Sequence, residues 1–239
     1  MLSFNKRLNK KEFLDDTDIP FEDIRQNMIE LEVINKHLGG HQCTLKGIKN
    51  LISHKSNKTY HIVELGSGGG DNLKVIQNWA SAKKKSVQLT GIDLNSECIN
   101  YARQVRGQEK VSFIHSDYKD VVFDTKPDII FSSLFCHHFS DEDLISQLKW
   151  MCDNAAIGFF INDLHRHLLA YYSIKLMTTI FSKSYLVKHD APISVQRAFQ
   201  KKDWQQLMQK AGLDNFYLEW VWAFRWLIVY RHDWNRNKF

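Results

Sequence analysis

Three carboxylates and two histidines stand where this chain could do chemistry. Glu64 closes a β-prone run, Tyr60 to Leu65. Asp93 closes a second run, Val87 to Ile92, and Asp117 follows a third, Val111 to Ile114. His137 and His138 follow a fourth, Asp128 to Leu134, which is nearly all apolar, as a strand buried on both faces should be. Side chains at the carboxyl ends of parallel strands sit where ligands of open α/β sheets bind. A carboxylate such as Asp93 can accept hydrogen bonds from both hydroxyls of a ribose, or it can simply cap a helix. A histidine titrating near neutrality suits removal of a hydroxyl proton. Alternatively, both histidines pack around the helix start at Ser140.

The segment after Glu64 decides which nucleotide. Gly66, Ser67, Gly68, Gly69 and Gly70 lead into a helix-like stretch, Asn72 to Ala80. Glycines let the backbone approach a ligand where any Cβ would collide. A dinucleotide fingerprint needs G-x-G-x-x-G. Counted from Gly66 the third glycine falls on Asp71, and counted from Gly68 it falls on Leu73. The spacing that fits is E-x-G-x-G-x-G, through Glu64, Gly66, Gly68 and Gly70. This argues against a nicotinamide-dependent oxidoreductase, though Asp93 alone would suit either cofactor.

With that loop and the ordered acids Asp93 and Asp117, the chain resembles the class I, Rossmann-like S-adenosylmethionine-dependent methyltransferases. It is similar to bacterial members acting on phenols, quinones or polyketides. The resemblance runs from about Tyr60 to Tyr230. It implies S-adenosylmethionine as cofactor, leaving as S-adenosylhomocysteine, held by Glu64, Gly66, Ser67, Gly68, Gly70, Asn72, Asp93, Leu94, Asp117, Tyr118 and Ser133. In that family the acid matching Asp117 accepts from the adenine amino group. The next side chain, here Tyr118, often packs on the ring. His137 and His138 lie where the family places the transferred methyl, which makes them the catalytic candidates.

The elements that must position these residues alternate. Asp18-Ile19-Pro20 predicts a helix start with Asp18 as cap, and Ile24, Met28, Leu31 and Leu38 recur at helical spacing up to Gly39-Gly40. Thr44 is expected to cap a second helix. Five strands with intervening helices follow, the fifth at Ile157 to Ile161. A crossover helix around Trp204 and a closing pair of strands, Phe216 to Ala223 and Arg225 to Tyr230, end the chain. The predicted fold class is α/β: a three-layer sandwich around a seven-stranded, mostly parallel sheet with its last strand antiparallel. A helical cap at residues 1–58 precedes the catalytic domain at residues 59–239. Residues 165–200 form an insert after the fifth strand, read as one apolar helix and a polar stretch around His189 to Pro192 that could act as a lid. Met1 to Thr17 reads as charged and irregular or loosely helical.

The acceptor is harder to read. Only three prolines occur, at 20, 127 and 192. This excludes the Pro-Pro element of enzymes that methylate exocyclic amines of bases. It also excludes the Pro-Cys pair of the covalent cytosine mechanism. Asp163, His165, Tyr171, Tyr172, His189 and Arg197 are expected to contact substrate, with a structural role open for each. Asn162, Asp163, His165 and His167 show no strong metal spacing, and no metal is expected. These features favour O-methylation of a small, lipophilic, phenolic acceptor. C- or N-methylation and a catalytically silent scaffold stay open.

Composition narrows the partners. A net charge of +5 owes much to runs such as Lys83-Lys84-Lys85, which suit a solvated loop. No basic stripe with interleaved aromatics marks a nucleic-acid groove. The four cysteines form no C-x-x-C pair, and Met1 to Lys11 lacks an apolar leader core. The expectation is a cytoplasmic protein with reduced thiols and no membrane insertion. The sequence does not specify an oligomeric state.

Overall fold

Successive apolar residues along the central strands point to opposite faces of one sheet, and each face has its own core. The computed structural model describes residues 4–15, 18–53, 58–106 and 111–234. The strands are β1 (Tyr60–Leu65), β2 (Val87–Asp93), β3 (Val111–His115), β4 (Ile129–Ser133), β5 (Gly158–Leu164), β6 (Phe216–Val221) and β7 (Arg225–Arg231). Their order across the sheet is β3-β2-β1-β4-β5-β7-β6. β7 runs antiparallel to both its neighbours, and the β1 to β5 pairings are parallel. This is the three-layer, seven-stranded arrangement expected from the sequence. The order reverses at β1 and β4, the switch point at which such sheets open a crevice for a ligand.

Among the described residues eight helices accompany the sheet: α1 (Phe21–His37), α2 (Gly40–Leu51), α3 (Asp71–Ala82), α4 (Ser96–Arg106), α5 (Asp141–Asn154), α6 (Leu168–Phe181), α7 (Tyr185–Arg197) and α8 (Lys201–Lys210). On one face Ile62, Phe131, Phe160 and Leu227 pack with Ile48, Leu73 and Ile99 of α2, α3 and α4. On the other, Val63, Ile130, Phe159 and Ile228 pack with Leu144, Leu148 and Trp204 of α5 and α8. Of the expected N-terminal cap, α2 is embedded in the sheet's own core.

The structure corrects several boundaries. The first helix starts at Phe21 with Pro20, not Asp18, at its N-cap; the proline carbonyl accepts from Asp23 and Ile24. Gly39, at φ +74°, turns the chain directly into α2 at Gly40, so Thr44 lies inside a helix instead of capping it. β5 extends through Asn162 and Asp163 to Leu164. The polar stretch His189 to Pro192 lies within a second helix of the insert, α7. Ser184 caps α7 through the Val187 amide, and the nearly complete burial of Pro192 to Arg197 offsets the hydrogen bond that Pro192 cannot donate.

Candidate active site

Two cavities meet at the carboxyl edge of β1 and β4. The first, about 290 Å³, is lined by the glycine loop, Glu64, Asp93, Tyr101, Ser133 and Phe135, with Asn27, Met28 and Leu31 of α1 above. The second, about 350 Å³, is mostly apolar. It is walled by α1, by Ala170, Ile174 and Met177 of α6, by Val187 and Val195 of α7, and by Trp222 and Phe224. His138, Leu14, Asn27, Leu31 and Leu134 line both. The insert after β5 therefore builds one wall of the apolar cavity.

The glycine loop is shaped for a ligand. Gly66 and Gly68 have φ of +67° and +48°, where a side chain is strained. A Cβ on Gly66 would run into the Phe135 ring, whereas a Cβ on Gly68 would meet open space in the cleft. Asp93 Oδ2 accepts from the Gly68 amide at 2.8 Å and Oδ1 from Asn95 at 2.9 Å. Each carboxylate oxygen keeps lone-pair capacity for a hydroxyl. Burial pushes the Asp93 carboxyl above its ordinary range.

Glu64 is buried at 1% exposure. Its Oε1 accepts from Asn72 Nδ2 at 3.0 Å, while Oε2 has no partner. Ser67 Oγ and Asn27 Nδ2, on the same cleft, also lack partners. Burial, with Asp71 nearby, drives the Glu64 pKa well up. A buried acceptor without a donor is costly, and a ligand ammonium would both satisfy and ionise it. A hydroxylated, amino-bearing ligand such as S-adenosylmethionine fits this donor and acceptor set.

A buried polar chain ties the N-terminal helices to the loop. Thr44 Oγ1 donates to Asn72 Oδ1 and accepts from Asn162 Nδ2. Arg225, itself 1% exposed, donates to Asn162 Oδ1 and Asn35 Oδ1. Asn35 and His41 both engage Asp71 at the start of α3.

The histidines sit in a 3-10 turn, Cys136–His138, after β4. His137 Nδ1 lies 2.8 Å from Asp163 Oδ1, and the His137 amide donates to Asp163 Oδ2. Burial opposes charge on Asp163, but His137 outweighs it and holds the carboxyl below its usual range. His138 Nδ1 lies 2.8 Å from Asp15 Oδ1. There too burial is outweighed, by His138 and then Arg197, and the Asp15 carboxyl is held low. Ionised carboxylates only accept hydrogen bonds, so each Nδ1 carries a proton and Nε2 is the ring nitrogen left to face the cavity side. Both Nε2 atoms face Glu12, at 3.8 and 3.9 Å. Burial pushes the Glu12 carboxyl up to about 7, against the opposing effects of His138, Ser194 and Arg197. The three side chains bring ligand atoms within 4.8 Å of one another.

Other expected contacts lie elsewhere. Asp163 is fully buried behind His137 and orients that ring, leaving no surface for substrate. Arg197 donates to the carbonyls of His137 and His138 and to Asp15, bracing the turn. His165 accepts from Trp220 Nε1 and packs on Trp226; burial pulls its pKa down to about 4. Tyr171 is buried against Phe4, and Tyr172 is exposed on the outside of α6. His189 stacks on Phe13. None of these six lines either cavity. Tyr118 packs its ring on Trp150 in the core, Asp117 caps a 3-10 turn through Lys119, and Leu94 is exposed. These three also lie off the cleft lining. Glu12 and Asp15 were not singled out from the sequence: in a charged, irregular segment nothing distinguishes them from solvated acids.

Residues 62–155 match the family described as Methyltransferase domain. No curated protein sequence matches the chain. The plantazolicin methyltransferase BpumL, solved with a desmethylplantazolicin analogue and S-adenosylhomocysteine (SAH), is similar in structure. It has TM-score 0.60 and 20% identity over 83% of this chain and 75% of its own. Magnesium protoporphyrin IX methyltransferase from Synechocystis PCC 6803, solved with SAH, has TM-score 0.54 and 14% identity over 90% and 89%. Human N-acetylserotonin methyltransferase, solved with S-adenosylmethionine, has TM-score 0.64 and 16% identity over 89% and 56%. Sheet order and structural neighbours thus give the chain the Rossmann-like methyltransferase fold, and within it residues 62–155 match a methyltransferase domain.

Proposed function

We propose that this protein O-methylates a small, lipophilic, phenolic acceptor. The observation that carries this reading is the convergence of His137 Nε2, His138 Nε2 and the Glu12 carboxyl. They stand where the glycine cleft meets the apolar cavity. A hydroxyl entering from that cavity donates to an imidazole Nε2. His138 lines both cavities, so it takes the proton as general base, and Asp15 holds its Nδ1 and favours the imidazolium. His137, fixed by Asp163, offers the hydroxyl a second acceptor. Glu12, once ionised above about pH 7, adds negative potential that raises the basicity of both rings.

In the cleft, Glu64 Oε2 receives the amino group of the cofactor and Asp93 the ribose hydroxyls. Asp117, at the end of β3 along the same edge, takes the adenine amino group under this reading. When bound, S-adenosylmethionine supplies a methyl already activated on a sulfonium. The protein's part is alignment, exclusion of water and removal of one proton. Ile174, Val187, Val195 and Phe224 exclude water from the acceptor's side.

The test is turnover of methyl-labelled S-adenosylmethionine against matched alkylphenols, alkylanilines and carbon acids. Label on phenolic oxygen supports the reading. Label on nitrogen or carbon alone overturns oxygen as nucleophile, and no turnover despite SAH binding favours a silent scaffold.

A further inference from the structure

The outer face of α6 has no use in the site described above. Leu169, Tyr172, Leu176 and Ile180 recur at spacings of three and four and are all more than half exposed. Such a stripe normally faces a core. Leu168 and Phe181 extend it at the two ends, and Phe181 is 77% exposed. α6 is covered on its inner side, where Ala170 and Tyr171 pack with Val195 of α7.

The segment itself is cationic, although Asp23 of α1 accepts from the Tyr185 hydroxyl at its edge. No acid occurs between Asp163 and Asp190. Lys175, Lys183 and Lys188 are exposed within that span. Glu30, which meets the end of α6, is occupied by Gln26, the Ser182 hydroxyl and the amides of Lys183 and Ser184. The apolar surface is continuous with the acceptor cavity. Met177 and Trp222 both line that cavity and are both exposed, Trp222 at 66%. Tyr172, Tyr185 and Trp222 offer amphipathic rings of the kind that settle at headgroup depth.

We infer that α6 docks on the surface of an anionic phospholipid bilayer, with its apolar stripe in the headgroup boundary and Lys175, Lys183 and Lys188 on the anionic headgroups. The mouth of the apolar cavity then opens toward lipid, from which an amphiphilic acceptor enters without crossing water. Apolar residues and lysines together combine burial in the headgroup boundary with attraction to anionic lipid. This is surface docking: among the described residues no helix is long and apolar enough to cross a membrane.

The docking stands apart from the methylation reading, because it is measured without cofactor or turnover. The probes are sucrose-loaded vesicles of phosphatidylcholine alone and of equal phosphatidylcholine and phosphatidylglycerol. The intact protein should sediment with the mixed vesicles, much less with neutral ones, and release as salt is raised. Leu176→Glu and Ile180→Glu should each weaken vesicle binding about tenfold or more. Lys175→Glu should weaken it only on the anionic vesicles. All three sites are exposed, so the thermal midpoint should hold, as should turnover of a short, water-soluble phenol. Equal or absent binding to both vesicle types overturns the proposal. A dimer in light scattering that Leu176→Glu converts to monomer also overturns it, and assigns the face to a second copy of this chain.

Discussion

His138 and Asp15 are 123 residues apart in sequence and 2.8 Å apart at Nδ1 and Oδ1. The N-terminal segment therefore supplies the partner that fixes the tautomer of the candidate base. His138→Ala should lower kcat about 100- to 10,000-fold, the range of a lost general base, with SAH affinity nearly unchanged. Asp15→Asn should cost about tenfold, because the amide still holds the ring but stabilises its charge less. The pH profile separates base from positioning. A phenol of lowered pKa, already ionised, should restore most of the His138→Ala loss, and a nitrophenol series in stopped assays measures this. Equal loss across that series would assign His138 to positioning.

Glu12, His137 and His138 also have the residue types of a cation site. As a proton-handling cluster they need no ion. Dialysis against a chelator should leave kcat unchanged, and added Mg²⁺, Mn²⁺ or Zn²⁺ should not raise it. Activity lost on chelation and regained with one of these ions would turn the three side chains into ligands and remove His138 as base.

Glu12 should leave its mark on stability. Its carboxyl rises from an ordinary value of 4.5 to about 7. Between those values the folded chain holds a proton that the unfolded chain has lost. Stability therefore falls as pH rises through that window, and the full penalty is present above about pH 7. Asp15 and Asp163 are depressed and act with the opposite sign, losing stability only as pH falls below the ordinary carboxylate range. Glu12→Gln isolates the difference. Relative to the parent, its thermal midpoint should rise between pH 5 and pH 8. A gap that stays constant would mean that Glu12 is ionised throughout.

What was legible in the sequence follows physical locality. Glu64, the glycines and Asp93 could be read because strand, turn and acid are adjacent in the chain and their spacing is set by local backbone geometry. His137 and His138 could be placed because a buried strand ends beside them. Glu12, Asp15 and Asn35 could not, because their roles arise from packing across the sheet edge. Tyr118 illustrates the converse. Its position after β3 suggested a ring over the cofactor, but the 3-10 turn from Tyr118 to Asp120 points the ring into the core against Trp150. Pro192 sits inside α7, where burial of that helix overrides the residue's local preference.

Thr44 tests whether the N-terminal helices brace the glycine loop. Its hydroxyl donates to Asn72 Oδ1 at 2.9 Å, and Asn72 in turn donates to Glu64. Thr44→Val keeps the shape and removes the donor. Asn162 keeps Gly40 and Ser133 as acceptors, so the main loss is a buried, unpaired Asn72 oxygen, costing about 1–2 kcal/mol. That corresponds to a thermal midpoint lower by about 2–8 °C for a chain of this size. SAH affinity should fall in parallel, since Glu64 loses a fixed neighbour. A lower midpoint with unchanged affinity would confine the network to stability.

Gly68 separates the cofactor cradle from the fold. Its φ of +48° means that any side chain adds strain, but a Cβ there meets no protein atom within 4 Å. The space it would fill is the cleft itself. Gly68→Ala should carry mainly the left-handed penalty of about 1–2 kcal/mol, seen as a modest drop in thermal midpoint. Gly68→Val places two further carbons in the cleft and should weaken SAH binding on the order of 100-fold at little further cost in stability. Gly66→Ala makes the contrast. Its Cβ would fall 2.2 Å from the Phe135 ring, so the damage should appear first in the melting curve. Calorimetric titration beside thermal unfolding reads both quantities for all three variants. If Gly68→Val bound SAH as the parent does, the ligand would not approach this loop, and the cleft assignment would fall with it.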